Sequence, residues 1–488
     1  MKAWLLAASL VSIWPVAHAQ VVQWDLESRQ ANPHLVTRSD SSTLQETIAN
    51  NKRKGGYFAN VKVGSPGQNV TLQLDTGSSD VWMPYSDAPI CKKTGCQLGS
   101  FDPNNSSSFE DIGSNLFSIT YVDDSYARGD YFTDDFTMGD IEVKNLTMGL
   151  ALTTTISYGL MGIGYTVNEA SVDTIDKTYP NLPVAMYQAG YINTIAYSLW
   201  LNDLDASTGN ILFGGIDTKK YTGNLTRVDV IANHGTYDHF KVAVNSITAT
   251  SPSGTDKLSP DSLPFEAVLD SGTTLTYIPN RLASQMWDEV GAIYEPDWGL
   301  AVLPCSFAQH DGNFTFGFGS RGGPEIVVGM DELVVDLTNG NQPTFSEGEY
   351  KGQKVCEFGI QNYTSSEVYL LGATFLRSAY VVYDLVNNEV GLAQANFNTK
   401  ESNIVAFKSK GATIPSATAA PNQNQTQSTP TSTSTSTSTD LSAADGFQNE
   451  TDDNNGSTVN APGSSLMVVG ITIAFMLVGS GAFPSNFF

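Results

Sequence analysis

From Gly55 to about Phe397, apolar and polar positions alternate in short runs separated by Gly, Asn, Asp and Pro. That period-two pattern predicts half-buried strands joined by turns. Gly55-Gly56-Tyr57-Phe58-Ala59-Asn60-Val61-Lys62-Val63-Gly64 opens the series and Val70-Thr71-Leu72-Gln73-Leu74 continues it. Further strands are expected at 199–201, 211–213, 268–269 and 381–383. Helical periodicity is scarce, and its best stretch runs from Arg281 to Ile293 just after Pro279-Asn280. The body is therefore expected to be mainly β.

Both ends of the chain break this pattern. Met1–Ala19 carries Lys2, an apolar stretch from Ala3 to Val16, and Ala17-His18-Ala19 before Gln20. It reads as a secretory signal. Residues 20–53 are polar and run into Lys52-Arg53-Lys54, directly before a predicted strand. They are expected to be a propeptide cut at the basic cluster, which would otherwise be a surface charge patch. Residues 401–455, with the Ser/Thr alternation of Thr431–Thr439, read as an O-glycosylated stalk that cannot bury a core. Leu466–Val478 is nearly unbroken apolar sequence, short of the roughly 20 residues that span a bilayer. With Asn454-Asn455-Gly456-Ser457 before it, it reads as a GPI-attachment signal cleaved after Asn455, removing 456–488. A true membrane helix is the alternative. These signals direct the chain through the secretory pathway to the plasma membrane surface, with the cell wall as a further destination.

The length of 488 residues exceeds one typical core and suggests two lobes, placed at 54–216 and 217–400. The formal net charge of −25 argues against nucleic acid and favours basic partners. Four cysteines allow three pairings; proximity favours Cys91 with Cys96 and Cys305 with Cys356, in keeping with an oxidising compartment. Neither set has His or Cys companions at zinc-site spacing, so no metal is expected. Asn-x-Ser/Thr acceptors stand at Asn69, Asn104, Asn105, Asn145, Asn224, Asn313 and Asn362 in the body.

The candidate chemistry lies in one repeated pattern. Leu74-Asp75-Thr76-Gly77-Ser78-Ser79 follows a strand, and Leu269-Asp270-Ser271-Gly272-Thr273-Thr274 follows another, 195 positions later. Each places a carboxylate at a strand end, flanked by hydroxyls and a glycine. Two such carboxylates facing each other cannot both ionise easily, so they share a proton. One can then draw a proton from water while the other polarises a carbonyl, which is metal-free peptide hydrolysis. Gly317-Phe318-Gly319-Ser320-Arg321-Gly322 matches a nucleotide loop but lacks its strand-to-helix setting. Asp134-Asp135 is expected to be a turn.

With its two motifs in this order, and with Leu160-Met161-Gly162 and Leu370-Leu371-Gly372 as apolar-apolar-Gly companions, the sequence resembles the pepsin-like aspartic endopeptidases over about residues 54–400. The resemblance implies a mainly β, bilobal double barrel with the cleft between similar lobes. It implies Asp75 and Asp270 as the catalytic dyad. Thr76 and Ser271 would interlock the two loops, Ser78 and Thr273 would bond the outer carboxylate oxygens, and Gly77 and Gly272 complete the motifs. The cysteine pairs fall where family disulfides fall. Phe117–Tyr121 resembles the start of the flap, with Tyr121 closing over substrate and Trp82 supporting it. No cofactor is implied, and the chain is expected to act as a monomer on protein or peptide substrates.

Two departures stand out. Val122-Asp123-Asp124-Ser125 replaces a glycine-containing flap tip, and Ala373 replaces an acidic residue of many digestive relatives. In fungal relatives an acidic residue at Asp123 goes with Lys or Arg at P1; the plainer reading is a solvated carboxylate. Signal, basic pro-boundary, stalk and GPI tail together resemble the yapsin-type subgroup, which cleaves at basic sites. Only Lys92-Lys93-Thr94-Gly95 separates the first two cysteines, unlike the long processed loop of many yapsins. The remaining alternatives are a protease preferring hydrophobic P1 residues, and a non-catalytic pepsin-fold binder of peptides or wall components.

Overall fold

The computed structural model of the protein describes residues 21–29, 56–206, 208–319, 322–338, 342–363, 368–421 and 441–448. The signal sequence, the basic cluster, Thr431–Thr439, Leu466–Val478 and Asn455 lie outside these residues. The alternating runs become strands. Val22–Arg29 forms β1, Gly56–Val63 forms β2 and Gln68–Asp75 forms β3. β3 is buried on both faces, and each face has its own chemistry. Val70, Leu72 and Leu74 enter the hydrophobic core. On the other face Thr71 Oγ1 donates to Asn60 Oδ1 at 2.7 Å and Gln73 Nε2 donates to the Gly272 carbonyl at 3.0 Å. Buried polar side chains are tolerated there because each has a partner.

The same local topology occurs twice. β3 pairs in parallel with Gly159–Gly162, which in turn pairs antiparallel with Val81–Pro84. In the second half Phe265–Leu269 pairs in parallel with Tyr369–Leu371, which meets Thr276–Pro279. A glycine stands at the end of the first central strand and directly after the second for a steric reason. A Cβ on Gly162 would lie 2.6 Å from the Asp80 amide nitrogen, and one on Gly372 would lie 2.6 Å from the Thr273 carbonyl oxygen. Backbone this close excludes any side chain.

A fourteen-stranded sheet joins the two halves, because Ala379–Asp384 pairs with Ala196–Trp200 and carries Glu389–Ala395 and Tyr221–Asp229 with it. The second half adds an eight-stranded and a four-stranded sheet. The fold is mainly β and matches a bilobal pepsin-like architecture. Arg377, Glu332 and Tyr57 are almost wholly buried. Arg377 Nε pairs with Glu332 Oε2, and Glu332 Oε1 accepts from the Leu204 amide at 3.0 Å.

Several elements differ from expectation. The helix spans Asn280–Val290 and stops short of Ile293, because Gly291 adopts a left-handed φ of 70° and closes it. Asp134 and Asp135 are not a turn. They lie buried within the strand Tyr126–Met138, where the register shifts between Asp134 and Phe136. Asp134 Oδ1 accepts from Ser108 Oγ at 2.6 Å, and Asp135 Oδ2 pairs with Lys144 Nζ at 2.8 Å.

β1 comes from the stretch assigned to the propeptide, yet it sits inside the fourteen-stranded sheet between β2 and Thr208–Phe213. Residues 401–421, assigned to the stalk, also lie on the body. Ile404–Ala406 pairs with Gly215–Asp217, Thr418–Ala419 pairs with Tyr221–Asp229, and Phe407, Ile414 and Ala420 are buried.

Cys91 is joined to Cys96 and Cys305 to Cys356, with Cα–Cα distances of 4.7 and 4.9 Å. Among the glycosylation acceptors, Asn69, Asn104, Asn105, Asn145 and Asn224 are exposed, whereas Asn313 and Asn362 are half-buried. Asn362 Nδ2 donates to Asn280 Oδ1 at 3.0 Å.

Candidate active site

β3 and Phe265–Leu269 deliver Asp75 and Asp270 to the same place. Gly77 makes the approach possible, since a Cβ there would lie 2.6 Å from Asp270 Oδ1. A Cβ on Gly272 would collide with Asp75 Oδ1. Each carboxylate is held the same way. Asp75 Oδ1 accepts from the Gly77 amide at 2.8 Å, and its Oδ2 accepts from Ser78 Oγ. Asp270 Oδ1 accepts from the Gly272 amide at 2.8 Å, and its Oδ2 accepts from Thr273 Oγ1 at 2.5 Å.

Beneath the carboxylates the loops interlock. Thr76 Oγ1 donates to the Leu269 carbonyl at 2.8 Å and accepts from the Ser271 amide at 2.9 Å. Ser271 Oγ reciprocates, donating to the Leu74 carbonyl at 3.1 Å and accepting from the Thr76 amide at 3.1 Å. Both hydroxyls are about 1% exposed, so every one of these bonds is shielded from water.

Burial first, and the neighbouring Asp270 charge second, raise the Asp75 carboxyl well above the usual carboxylate range. The pair therefore holds a proton under conditions where an isolated Asp would have lost it.

The stretch expected to be the flap is a hairpin of Glu110–Thr120 against Tyr126–Met138, and its tip lines the cleft. Trp82 Nε1 donates to Tyr121 Oη at 2.7 Å, which ties the flap tyrosine to the strand after the first Asp motif. The tip is closed without glycine. Asp124 takes a left-handed φ of 62°, and Asp123 Oδ1 accepts from the Ser125 amide at 3.0 Å and from Ser125 Oγ at 2.5 Å. Asp and Asn tolerate the left-handed region better than most residues, which explains the substitution. Asp123 is exposed, lines the cleft and raises the Tyr277 phenol as a lesser influence behind burial.

The cleft has a volume of about 800 Å³. Its acidic lining consists of Asp75, Asp123, Glu169, Asp173, Asp238 and Asp270, beside His239 and several tyrosines, and no described lysine or arginine contributes. Asn362 lines it too, so a glycan on this residue would intrude on the cleft.

The motif reading missed Asp80, Glu169 and Asp238. Asp80 is fully buried and accepts from Tyr131 Oη at 2.9 Å, Tyr179 Oη at 2.7 Å and the Ala170 amide at 2.8 Å. Its place inside the first motif, between Ser79 and Val81, was the available signal. Glu169 accepts from the Tyr179 amide at 2.7 Å, and burial pushes its carboxyl up to about 9. Asp238 Oδ2 accepts from Asn233 Nδ2 at 3.1 Å.

A repeated strand–Asp–hydroxyl–Gly motif, interlocked loops and a flap over a shared cleft define the pepsin-like aspartic proteases. Residues 56–395 match the family described as eukaryotic aspartyl protease, and the chain belongs to that family. It is 40% identical to the probable aspartic-type endopeptidase OPSB of Trichophyton verrucosum, over 82% of each chain. It is 32% identical to the aspartic proteinase yapsin-3 of Saccharomyces cerevisiae, over 75% of this chain and 70% of that one. Secreted aspartic protease 8 of Candida albicans is 34% identical, over 74% and 80%. The protein is an aspartic-type endopeptidase.

Proposed function

We propose that Asp75 and Asp270 are its catalytic pair, that it favours Lys or Arg at P1, and that it works at the cell surface, GPI-anchored through Asn455. The ionised member of the pair takes a proton from a water molecule, whose oxygen attacks the scissile carbonyl carbon. The protonated member gives its proton to the carbonyl oxygen. Proton transfer to the amide nitrogen then lets the C–N bond break, and the pair regains its single shared proton. Tyr121 closes over the peptide, held by Trp82. Cleavage requires one proton on the pair, so it is lost as pH rises past the pair's upper titration and again when both carboxyls are protonated.

The observation that carries the basic preference is the cleft lining. Apart from the dyad, the carboxylates of Asp123, Asp173 and Asp238 face it, and among the described residues only His239 opposes them; Glu169, pushed up to about 9 by burial, stays protonated at acid pH and adds no charge. A desolvated carboxylate contact to a basic side chain is worth on the order of 1–3 kcal/mol. Asp123 at the flap tip is the first candidate. The hydrophobic alternative rests on Ile119, Ile156, Leu160 and Leu370 in the same lining.

Matched peptides with Lys or Leu at P1 decide between them. The expected outcome is pepstatin-sensitive cleavage with kcat/KM at least several-fold higher for Lys, and an Asp123→Asn variant that loses the preference. Higher kcat/KM for Leu would overturn it. Surface attachment rests on the terminal sequence pattern, and release by phosphatidylinositol-specific phospholipase is its test. The signal and the basic pro-boundary complete the picture of a chain secreted as a zymogen.

A further inference from the structure

The end of the Ser/Thr-rich region folds back onto the second lobe. Leu441–Gln448 lies against the turn of the hairpin Lys241–Ser251 and Gly254–Lys257, against the helix Asn280–Val290, and against His310–Phe314. None of the groove residues lines the catalytic cleft.

The contacts are dense for so short a segment. Ser251 Oγ donates to the Ala443 carbonyl at 2.6 Å, and Ser253 Oγ donates to the Ser442 carbonyl at 2.8 Å. The Ala443 amide donates to Asp256 Oδ2 at 2.7 Å, and Ser442 Oγ donates to Asp256 Oδ1 at 2.8 Å. The Gly446 amide donates to Ser253 Oγ at 2.9 Å. Gln448 Nε2 donates to the carbonyls of Asp288 at 3.1 Å and Glu289 at 3.2 Å, and His310 Nδ1 meets the Phe447 carbonyl.

Phe447 is fully buried and stacks on Phe314 with ring centroids 5.3 Å apart. The groove is cut for it, because a Cβ on Gly312 would collide with its ring. A Cβ on Gly254 would lie 2.8 Å from the Ser442 carbonyl oxygen, so the hairpin turn also needs its glycine to admit the segment. Side chains of the lobe read the backbone of the segment, and one aromatic anchor fills a pocket. These are the marks of peptide recognition, not of incidental packing.

We propose that this groove is a second peptide-binding site, and that its occupant is residues 441–448 of the same chain. The segment acts as a non-covalent clasp. The chain is thereby fastened to the body both before residue 422 and after residue 440. A cut between those positions therefore leaves the catalytic body held to the chain beyond it. Gln448 is seven positions from Asn455, at most roughly 25 Å of extended chain. The body would accordingly be held close to an anchor there, not at the end of a long free stalk.

The test places a recognition site for a sequence-specific protease within 431–438 of the full chain, with an affinity tag inserted after Gln448. After complete cutting, the catalytic body is expected to be captured with the tagged fragment in native buffer and to separate from it in urea. Phe447→Ala and Asp256→Ala should separate without urea while cleaving a reporter peptide as before. Hydrogen exchange on the uncut chain gives a second reading that needs no capture. The Ala443 and Gly446 amides should exchange at least tenfold more slowly than in a free peptide of the same sequence, and should lose that protection in the Phe447→Ala variant. Wild-type body that leaves the tag on cutting, or segment amides that exchange at the free-peptide rate, would overturn the proposal.

Discussion

Thr76 and Ser271 each use one hydroxyl twice, as donor to a carbonyl of the other lobe and as acceptor from an amide there. Replacing Thr76 with Val keeps the shape but strands the Leu269 carbonyl and the Ser271 amide in a water-free interior. That should cost about 1–3 kcal/mol for each group, read as a lower midpoint in urea unfolding. Trp82→Phe removes the bond to Tyr121, on the order of 0.5–1.5 kcal/mol, and also shrinks a fully buried ring packed on Phe117, which adds a cavity cost. Its expected signature is a several-fold fall in kcat/KM together with a lower midpoint in urea unfolding. The hydroxyl partners of the two carboxylates were legible in the sequence because they lie within three residues of each Asp. Asp80 was visible inside the first motif, but its burial and its partners were not legible, because Tyr131, Tyr179 and Ala170 reach it from 51 to 99 positions away. Asp123 was legible as an acidic residue beside the flap tyrosine, but not as the brace of a glycine-free tip.

At the scale of elements, alternation located the strands well and located their ends poorly. The ends are set by local backbone, such as the left-handed Gly291 after the helix and the register shift beside Asp134. β1 was hidden for another reason. Val22, Trp24 and Leu26 do alternate with Gln23 and Asp25, but the polar sequence after them masks so short a run. Six residue pairs bind β1 to Thr208–Phe213 and three bind it to β2, and Leu26 is fully buried. Leu26→Ala is therefore expected to cost about 2–5 kcal/mol, whereas the exposed Gln23 should accept alanine with little change. Cleavage at Lys52-Arg53-Lys54 would leave only Gly55 ahead of β2, so the cut chain has no replacement for β1. Native enzyme cut at this site should run as two polypeptides after denaturation. Loss of residues 20–29 with an undiminished melting temperature would contradict this reading of the strand.

Across the whole molecule, buried carboxyls set the response to pH. Burial raises Asp75, Asp80 and Glu332, pushes Glu289 up to about 7 and Glu169 up to about 9. A carboxyl that binds its proton more tightly folded than unfolded stabilises the fold at low pH. That contribution is lost from above the ordinary carboxylate range up through the raised value. Stability should then fall between about pH 5 and 9, in step with the growing self-repulsion of a chain with net charge −25. Thermal melts across that range check the sign, and Glu169→Gln should flatten the alkaline part. The lobed organisation was legible in the repeated Asp motif. The docking of 441–448 was not, because composition reports what a segment cannot do alone and not what a neighbouring groove can do for it. The most direct test of the account is the rate of cleavage of one basic-site peptide from pH 3 to 7, by the wild type and by the Asp75→Asn and Asp270→Asn variants. The account predicts an acid-side optimum abolished by pepstatin, with losses of at least about 100-fold in both variants. Pepstatin-insensitive cleavage that survives either substitution would contradict it.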